Sequence, residues 1–199
     1  MLNPKQMYVF IIGGSYVGKL YLIYRYTDPE IIPHVHHHRI KIDFRTVDYK
    51  FDGMGEDIKT RIFRVNIQHP TKHFLSRIIK LHESFPVAVL CAFDVTRKSS
   101  CQPFLAHPEI FKQLNLFKIP FMFIGTKCDS SMPHEMSKQD GELFAESFGS
   151  QYTETSALTG LNVKMIIDEI IKSSITSWRY TGEDEVIVEE KRKEPSKCW

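Results

Sequence analysis

The sequence predicts an α/β domain built on a mostly parallel, six-stranded sheet with helices on both faces. Three observations lead to this class. Short apolar runs alternate with helical patterns over residues 1–178. Two of these runs, Val87–Phe93 (VAVLCAF) and Ile119–Ile124 (IPFMFI), are continuously apolar, as strands covered on both faces must be. A glycine-rich turn, Gly13–Lys19, separates the first strand from the first helix.

In chain order, Met7–Ile12 (MYVFII) reads as a buried strand, and GKLYLIYRY, from Gly18, as the helix after it. Arg39–Phe51 and Asp57–Ile67 both alternate, and the Phe51-Asp52-Gly53 turn between them predicts an antiparallel hairpin. Val87–Phe93 follows as a strand, the region around Pro108–Leu116 as a helix, and Ile119–Ile124 as a strand. Ser137–Phe148 reads as a helix and Tyr152–Ser156 as a short strand. Asn162–Ser177 (NVKMIIDEIIKSSITS) carries apolar residues at helical spacing and reads as the closing helix. After Trp178 the composition shifts to GEDEVIVEEKRKEPSKCW. The expected organisation is one domain over 1–178 and a flexible charged tail over 179–199.

At 199 residues, 42% hydrophobic and 25% charged, the chain suits one globular domain and not a disordered, collagen-like or coiled-coil class. A net charge of +2 gives no electrostatic case for nucleic acid as a partner. Cys91, Cys101, Cys128 and Cys198 show neither metal spacing nor a disulfide framework, and read as reduced intracellular thiols. The N-terminal MLNPKQMYVFIIGG lacks the basic region, long apolar core and cleavage site of a signal peptide. No apolar run nears the roughly 18 residues that cross a bilayer. A cytoplasmic location is expected.

Gly13-Gly14-Ser15-Tyr16-Val17-Gly18-Lys19 fits G-x-x-x-x-G-K, between strand and helix, where its mechanism requires it. Backbone N–H groups of such a loop converge on a phosphate, and the helix N-terminus adds positive partial charge. Lys19 would reach the outer phosphates. A plain strand-to-helix turn with an exposed lysine is the weaker reading, given that position. The next residue, which normally offers Mg²⁺ a hydroxyl, is Leu20, so metal binding is expected to be weakened or rearranged. Tyr16 is large for such a loop and either packs outward or occludes it.

Further on, FMFIG runs into Thr126-Lys127-Cys128-Asp129. An aspartate there can accept two hydrogen bonds from the N1–H and 2-amino edge of guanine, while the lysine stem covers base and ribose. Glu154-Thr155-Ser156-Ala157-Leu158 follows another strand and can present a backbone N–H to the guanine carbonyl.

Over about residues 5–178, these motifs in this order resemble a Ras-superfamily small GTPase, most closely the Rab branch, in a divergent, atypical form. GGSYVGKL, TKCD, ETSALTGLNV and the phrase FDVT at Phe93–Thr96 carry the resemblance. It implies a P-loop NTPase G domain binding GTP or GDP. Phosphate contacts would come from Gly13, Ser15, Tyr16, Val17, Gly18, Lys19 and Leu20, and guanine contacts from Thr126, Lys127, Asp129, Ser156, Ala157 and Leu158. Effector or regulator proteins would be partners, and vesicle trafficking the process.

The departures are equally specific. The switch I threonine falls at His38 or Arg39, and an aromatic that usually flanks the guanine falls at Ile31. The switch II segment lies within Val65–Lys72 (VNIQHPTK), with Asn66 and His69 nearest the expected aspartate and glycine. Gln68 comes too early, and Pro70 stands where a side chain would position water. Phosphoryl transfer needs positioning, charge neutralisation and an oriented water. Hydrolysis is therefore expected to be very slow or absent, and no catalytic residue is assigned.

His34, His36, His37 and His38 suggest a metal site or a pH switch, but without a second cluster a solvated loop is preferred and no metal site is assigned. Arg39 or one of these histidines is a further candidate for a phosphate counter-charge in place of Mg²⁺. Cys198 is the prenylation candidate, although the ending matches no standard prenylation pattern. Lys191-Arg192-Lys193 and Lys197 would add attraction to anionic lipid, diluted by Glu183–Glu190. Two tails stay open: unmodified, or held peripherally on endomembranes. Two functions also stay open, a Rab-type GTP-binding switch and a pseudo-GTPase interaction platform. A phosphotransferase is disfavoured, because TKCD and ETSAL point to guanine.

Overall fold

The computed structural model describes residues 4–30, 44–51, 55, 57–67 and 72–192, with residues 72, 73 and 179–192 as backbone only. Among them one sheet contains β1 (Gln6–Gly13), β2 (Phe44–Tyr49), β3 (Ile58–Asn66), β4 (Val87–Asp94), β5 (Phe121–Thr126) and β6 (Tyr152–Thr155). The order across the sheet is β2-β3-β1-β4-β5-β6. The β2–β3 pair is antiparallel and the other pairs are parallel. The helices are α1 (Lys19–Thr27), α2 (Lys72–His82), α3 (Gln102–Leu105), α4 (Pro108–Leu116), α5 (Lys138–Glu146) and α6 (Val163–Arg192).

Burial follows position in the sheet. Every residue of β4 is buried, and in β1 only Gln6 is not, because both strands lie mid-sheet between two helical layers. β2, on the edge, alternates exposed and half-buried residues until Tyr49. On one face, Leu22 and Ile23 of α1 and Ile166, Ile167, Ile170, Ile171 and Ile175 of α6 cover Val9, Ile11, Ile62 and Leu90. On the other face, Ile78, Phe104, Ile110, Phe111, Leu114 and Ala145, from α2 through α5, cover Ile12, Cys91, Phe93 and Phe123. That second core is aromatic. Phe123 has ring centroids of Phe111 and Phe144 each 5.3 Å away, and such pairs add about 0.5–1.5 kcal/mol beyond area burial.

The sequence signals for helix starts are realised in the backbone. α4 opens on Pro108, whose missing N–H costs nothing at a first helical position. α5 opens on a capping box: Ser137 Oγ accepts from the Asp140 N–H at 3.1 Å, and Asp140 Oδ2 accepts from the Ser137 N–H at 3.1 Å. α2 and α3 were not anticipated. α2 carries Phe74, Leu75, Ile78, Ile79 and Leu81 toward the aromatic core at helical spacing, directly after a segment dominated by motif-like polar residues.

One expected boundary moves. Trp178 does not end the closing helix, because α6 continues through Arg192. The segment expected as a flexible tail therefore begins as helix. Glu, Lys and Arg are good helix formers, so high charge keeps a segment out of a core without breaking its helix. Residues 193–199, with Cys198, Lys193 and Lys197, lie outside the described residues. So do residues 31–43 and 68–71, and with them Ile31, His34, His36, His37, His38, Arg39, Gln68, His69 and Pro70. Among the described residues no helix is long and apolar enough to cross a membrane.

The C-terminal ends of β1, β3, β4, β5 and β6 point to the same edge of the sheet, since these strands run parallel. The loops leaving them gather there. In open α/β sheets that edge is where ligands bind.

Candidate functional site

The glycine-rich turn is packed tightly against the sheet. A Cβ on Gly13 would stand 2.2 Å from the Ala92 carbonyl oxygen, so only glycine lets β1 pass β4 there. Gly18 caps α1 with φ 95°, a left-handed conformation that favours glycine. Tyr16 adopts φ 64° and is 82% exposed, so its ring packs outward and does not occlude the loop. Leu20 is half-buried and, as read from the sequence, has no oxygen to offer.

Lys19 is 8% exposed, and its Nζ donates to Gly13 O at 2.9 Å and to Gly14 O. Burial lowers its pKa to about 8, and the Arg64 guanidinium adds to the shift. Arg64 and Asn66 lie on one face of β3, two residues apart. Asn66, opposite Gly13 in the sheet register, donates from Nδ2 to Ser15 Oγ at 2.8 Å. Arg97 Nη2 donates to Ser15 O at 3.0 Å. From the far side, Thr126 Oγ1 sits 2.6 Å from Val17 O and 2.9 Å from Phe93 O, one hydroxyl proton shared between two carbonyls. The loop is thus tied to the ends of β3, β4 and β5.

Beside it lies a cavity of about 290 Å³ lined by Gly18, Tyr21, Leu22, Thr126, Lys127, Asp129, Ser130, Ala157 and Leu158. That size lies at the small end of ligand pockets, which run from about 300 to 1,000 Å³. Lys127 takes φ 62°, and its Nζ pairs with Asp94 Oδ2 at 2.6 Å. Asp94 Oδ1 also accepts from Thr96 N at 3.0 Å and Thr96 Oγ1 at 2.7 Å. Burial pushes the Asp94 carboxyl pKa up, but the hydrogen bonds from Lys127 and Thr96 outweigh it and hold the pKa below its ordinary value.

The loop after β6 is fixed from two directions. Ser156 is fully buried; its N–H donates to Leu161 O at 3.1 Å, and its Oγ accepts from Thr159 N at 3.0 Å. Arg25, on α1, donates from Nε to Ala157 O at 2.7 Å and from Nη2 to Leu158 O.

Six residues singled out in the sequence therefore line one cavity: Gly18, Thr126, Lys127, Asp129, Ala157 and Leu158. Ser156 lies buried, and its bonds shape the loop. Thr126 keeps its hydroxyl on the phosphate loop and β4, so it is a strut between two walls. Ser15 and Asp94 are bonded to different partners, Asn66 and Lys127. Sequence reasoning missed Arg25, Arg97 and the pairing of Asp94 with Lys127. Asp94 had a visible signal, an acid closing an otherwise apolar buried strand. Arg25 had none, since the two carbonyls it holds in the loop after β6 are more than a hundred positions away.

Among the described residues, the side chains at this loop offer Mg²⁺ few donors. Leu20 has no side-chain oxygen, and the Asn66 amide nitrogen is turned onto Ser15. Among the described residues no three His, Cys, Asp or Glu gather to hold an ion. Cations collect there instead, in Lys19 and Arg64.

A G-x-x-x-x-G-K loop between strand and helix at the C-terminal edge of a mostly parallel sheet, with an aspartate-bearing pocket beside it, is the arrangement of a P-loop α/β domain. The description of the Ras family matches residues 8–176. Ras-related protein Rab-26 of Mus musculus is 30% identical over 164 residues, covering 82% of this chain and 61% of that protein. The Homo sapiens Rab-26 is 29% identical over the same length. Ras-related protein RABA5d of Arabidopsis thaliana is 27% identical over 169 residues, covering 85% of this chain and 74% of its own length. The chain belongs to the Ras family of small GTPases and, with these relatives, to its Rab branch. It spans about three fifths of the length of the Rab-26 relatives.

Proposed function

We propose that this chain is an atypical Rab-type protein that binds GTP and GDP, hydrolyses GTP very slowly or not at all, and regulates vesicle trafficking through effector and regulator proteins. The observation that carries the reading is the single cavity bringing Lys127, Asp129, Ala157 and Leu158 beside the Gly13–Lys19 loop. In it the Asp129 carboxylate accepts from the guanine N1–H and 2-amino group. The Ala157 N–H serves the guanine carbonyl, and the Lys127 stem, its ammonium anchored on Asp94, covers the ring. Amides of Ser15 through Leu20 face the phosphates with Lys19.

Low hydrolysis follows from the phosphate end. With Leu20 and Asn66 in place of oxygen and carboxylate donors, nothing among the described residues orients an attacking water. The same two residues favour a second reading, an interaction platform with no nucleotide switching, since neither offers the γ-phosphate a sensor. Residues 1–178 form the G domain in this proposal, and residues 179–199 a charged extension. Its basic cluster and Cys198 would place the protein peripherally on endomembranes from the cytoplasm.

Thermal unfolding with GDP, GTP or ATP, in Mg²⁺ or in EDTA, tests the proposal. GDP at 100 times its Kd adds about 2.7 kcal/mol of stability. We expect that gain with guanine nucleotides, retained in EDTA, and loss of the guanine preference in Asp129→Ala. No shift with any nucleotide leaves the platform reading; an unchanged preference in the variant removes Asp129 from its role.

A further inference from the structure

We propose that Tyr21, in the first turn of α1, is the stacking face for the purine base in this pocket; the proposal rests on the guanine-nucleotide reading above. Edge recognition and face recognition are separate requirements of a base site. Asp129 and the Ala157 N–H address edges, and hydrogen bonds of this kind choose among bases. The ring faces are apolar and need flat or aliphatic cover, and a stacked aromatic side chain supplies this for any base.

Among the described residues that line the cavity, Tyr21 is the one aromatic. It comes from α1, whereas Lys127, whose stem offers aliphatic cover, comes from the loop after β5. Gly18 lines the same cavity and brings no side chain into it; the nearest atom to a Cβ built there is Thr126 Cβ at 3.9 Å. Tyr21 is half-buried in this wall, unlike Tyr16 five residues earlier, which is 82% exposed. Its neighbours Leu22 and Ile23 are locked into the core, which fixes the helical face that Tyr21 presents. Two rotatable bonds leave the ring little freedom to lose on binding.

The test compares GDP with inorganic pyrophosphate, which has no base, on the full chain by calorimetry. Tyr21→Ala should weaken GDP roughly 5- to 150-fold, the range of one base–aromatic stack. Pyrophosphate affinity should stay at the wild-type value, which also certifies a folded phosphate loop. Tyr21→Phe keeps the ring and should restore the lost GDP affinity. Tyr21→Leu, apolar and helix-forming but ringless, should lose most of it, and decides the matter if the alanine variant does not fold. Equal or tighter GDP binding by the ringless variants overturns the stacking role while leaving the guanine reading intact. If the wild type binds pyrophosphate but not GDP, the guanine reading itself fails and Tyr21 falls with it.

Discussion

At the base end of the site, the walls are braced by specific pairs. Asp94 holds Lys127, Arg25 holds the carbonyls of Ala157 and Leu158, and Thr126 ties β5 to both β4 and the phosphate loop. At the phosphate end, positive charge accumulates among the described residues. Lys19 is buried near Arg64, Arg97 leans on the loop at Ser15, and Leu20 and Asn66 stand where oxygen donors would serve a metal. Under the proposed function, the contrast follows from what each end would recognise. Hydrogen bonds to a base edge need atoms fixed to a fraction of an ångström, so the walls must be cross-braced. A phosphate needs positive potential, which several arrangements of cations and amides supply.

The largest effect should come from unbracing the base end. Asp94→Ala removes an acceptor whose side chain is 4% exposed and leaves Lys127 and Thr96 without it. Because Lys127 is 43% exposed and partly hydrated, we expect a loss of roughly 1–3 kcal/mol in urea unfolding. GDP affinity should fall as well, and pyrophosphate affinity much less. Equal losses for both ligands would show that the two ends are not separable.

A smaller effect sharpens the phosphate end through pH. The Lys19 pKa of about 8 lies below the ordinary lysine value of 10.5, so between these values the unfolded chain binds more protons than the folded one. Burial holds the Cys91 and Cys101 thiols protonated and pulls the opposite way, so the Lys19 effect is read against Lys19→Met: relative to that variant, ligand-free stability should rise with pH above about 8, while wild-type pyrophosphate affinity falls as the ammonium is lost. Parallel unfolding and binding series up to about pH 9.5 stay below the range where tyrosines ionise. Slopes of the same sign would remove Lys19 from the phosphate site. The smallest expected effect is at Tyr16→Gly, where relief of the left-handed backbone should raise stability by at most about 1 kcal/mol in thermal unfolding. A loss there would mean that the exposed ring makes contacts worth more than the strain.

Much of the architecture was legible from local pattern. Val87–Phe93 and Ile119–Ile124 announced central strands because a strand covered on both faces has no polar side to display. Pro108 marked the start of α4, and Ser137 with Asp140 the start of α5. The glycines of the phosphate loop and the Lys127–Asp129 pair were visible because backbone conformation and ligand chemistry restrict residue type at those places. The helix at Lys72–His82 is legible in principle, from five apolar residues at helical spacing. The continuation of α6 past Trp178 was not, since charge tells a core from a surface and not a helix from a coil.

The bracing of the site is a different matter. Thr126 stood in the sequence as a base contact, yet its hydroxyl lies between Val17 O and Phe93 O. Arg25 reaches a loop more than 130 positions away, and Asn66 from the end of β3 and Arg97 from the loop after β4 meet on Ser15. Periodicity reports only what a residue's own segment does with water. Which distant groups a side chain meets depends on how the strands are ordered across the sheet, and that order is settled when the two cores pack on its faces.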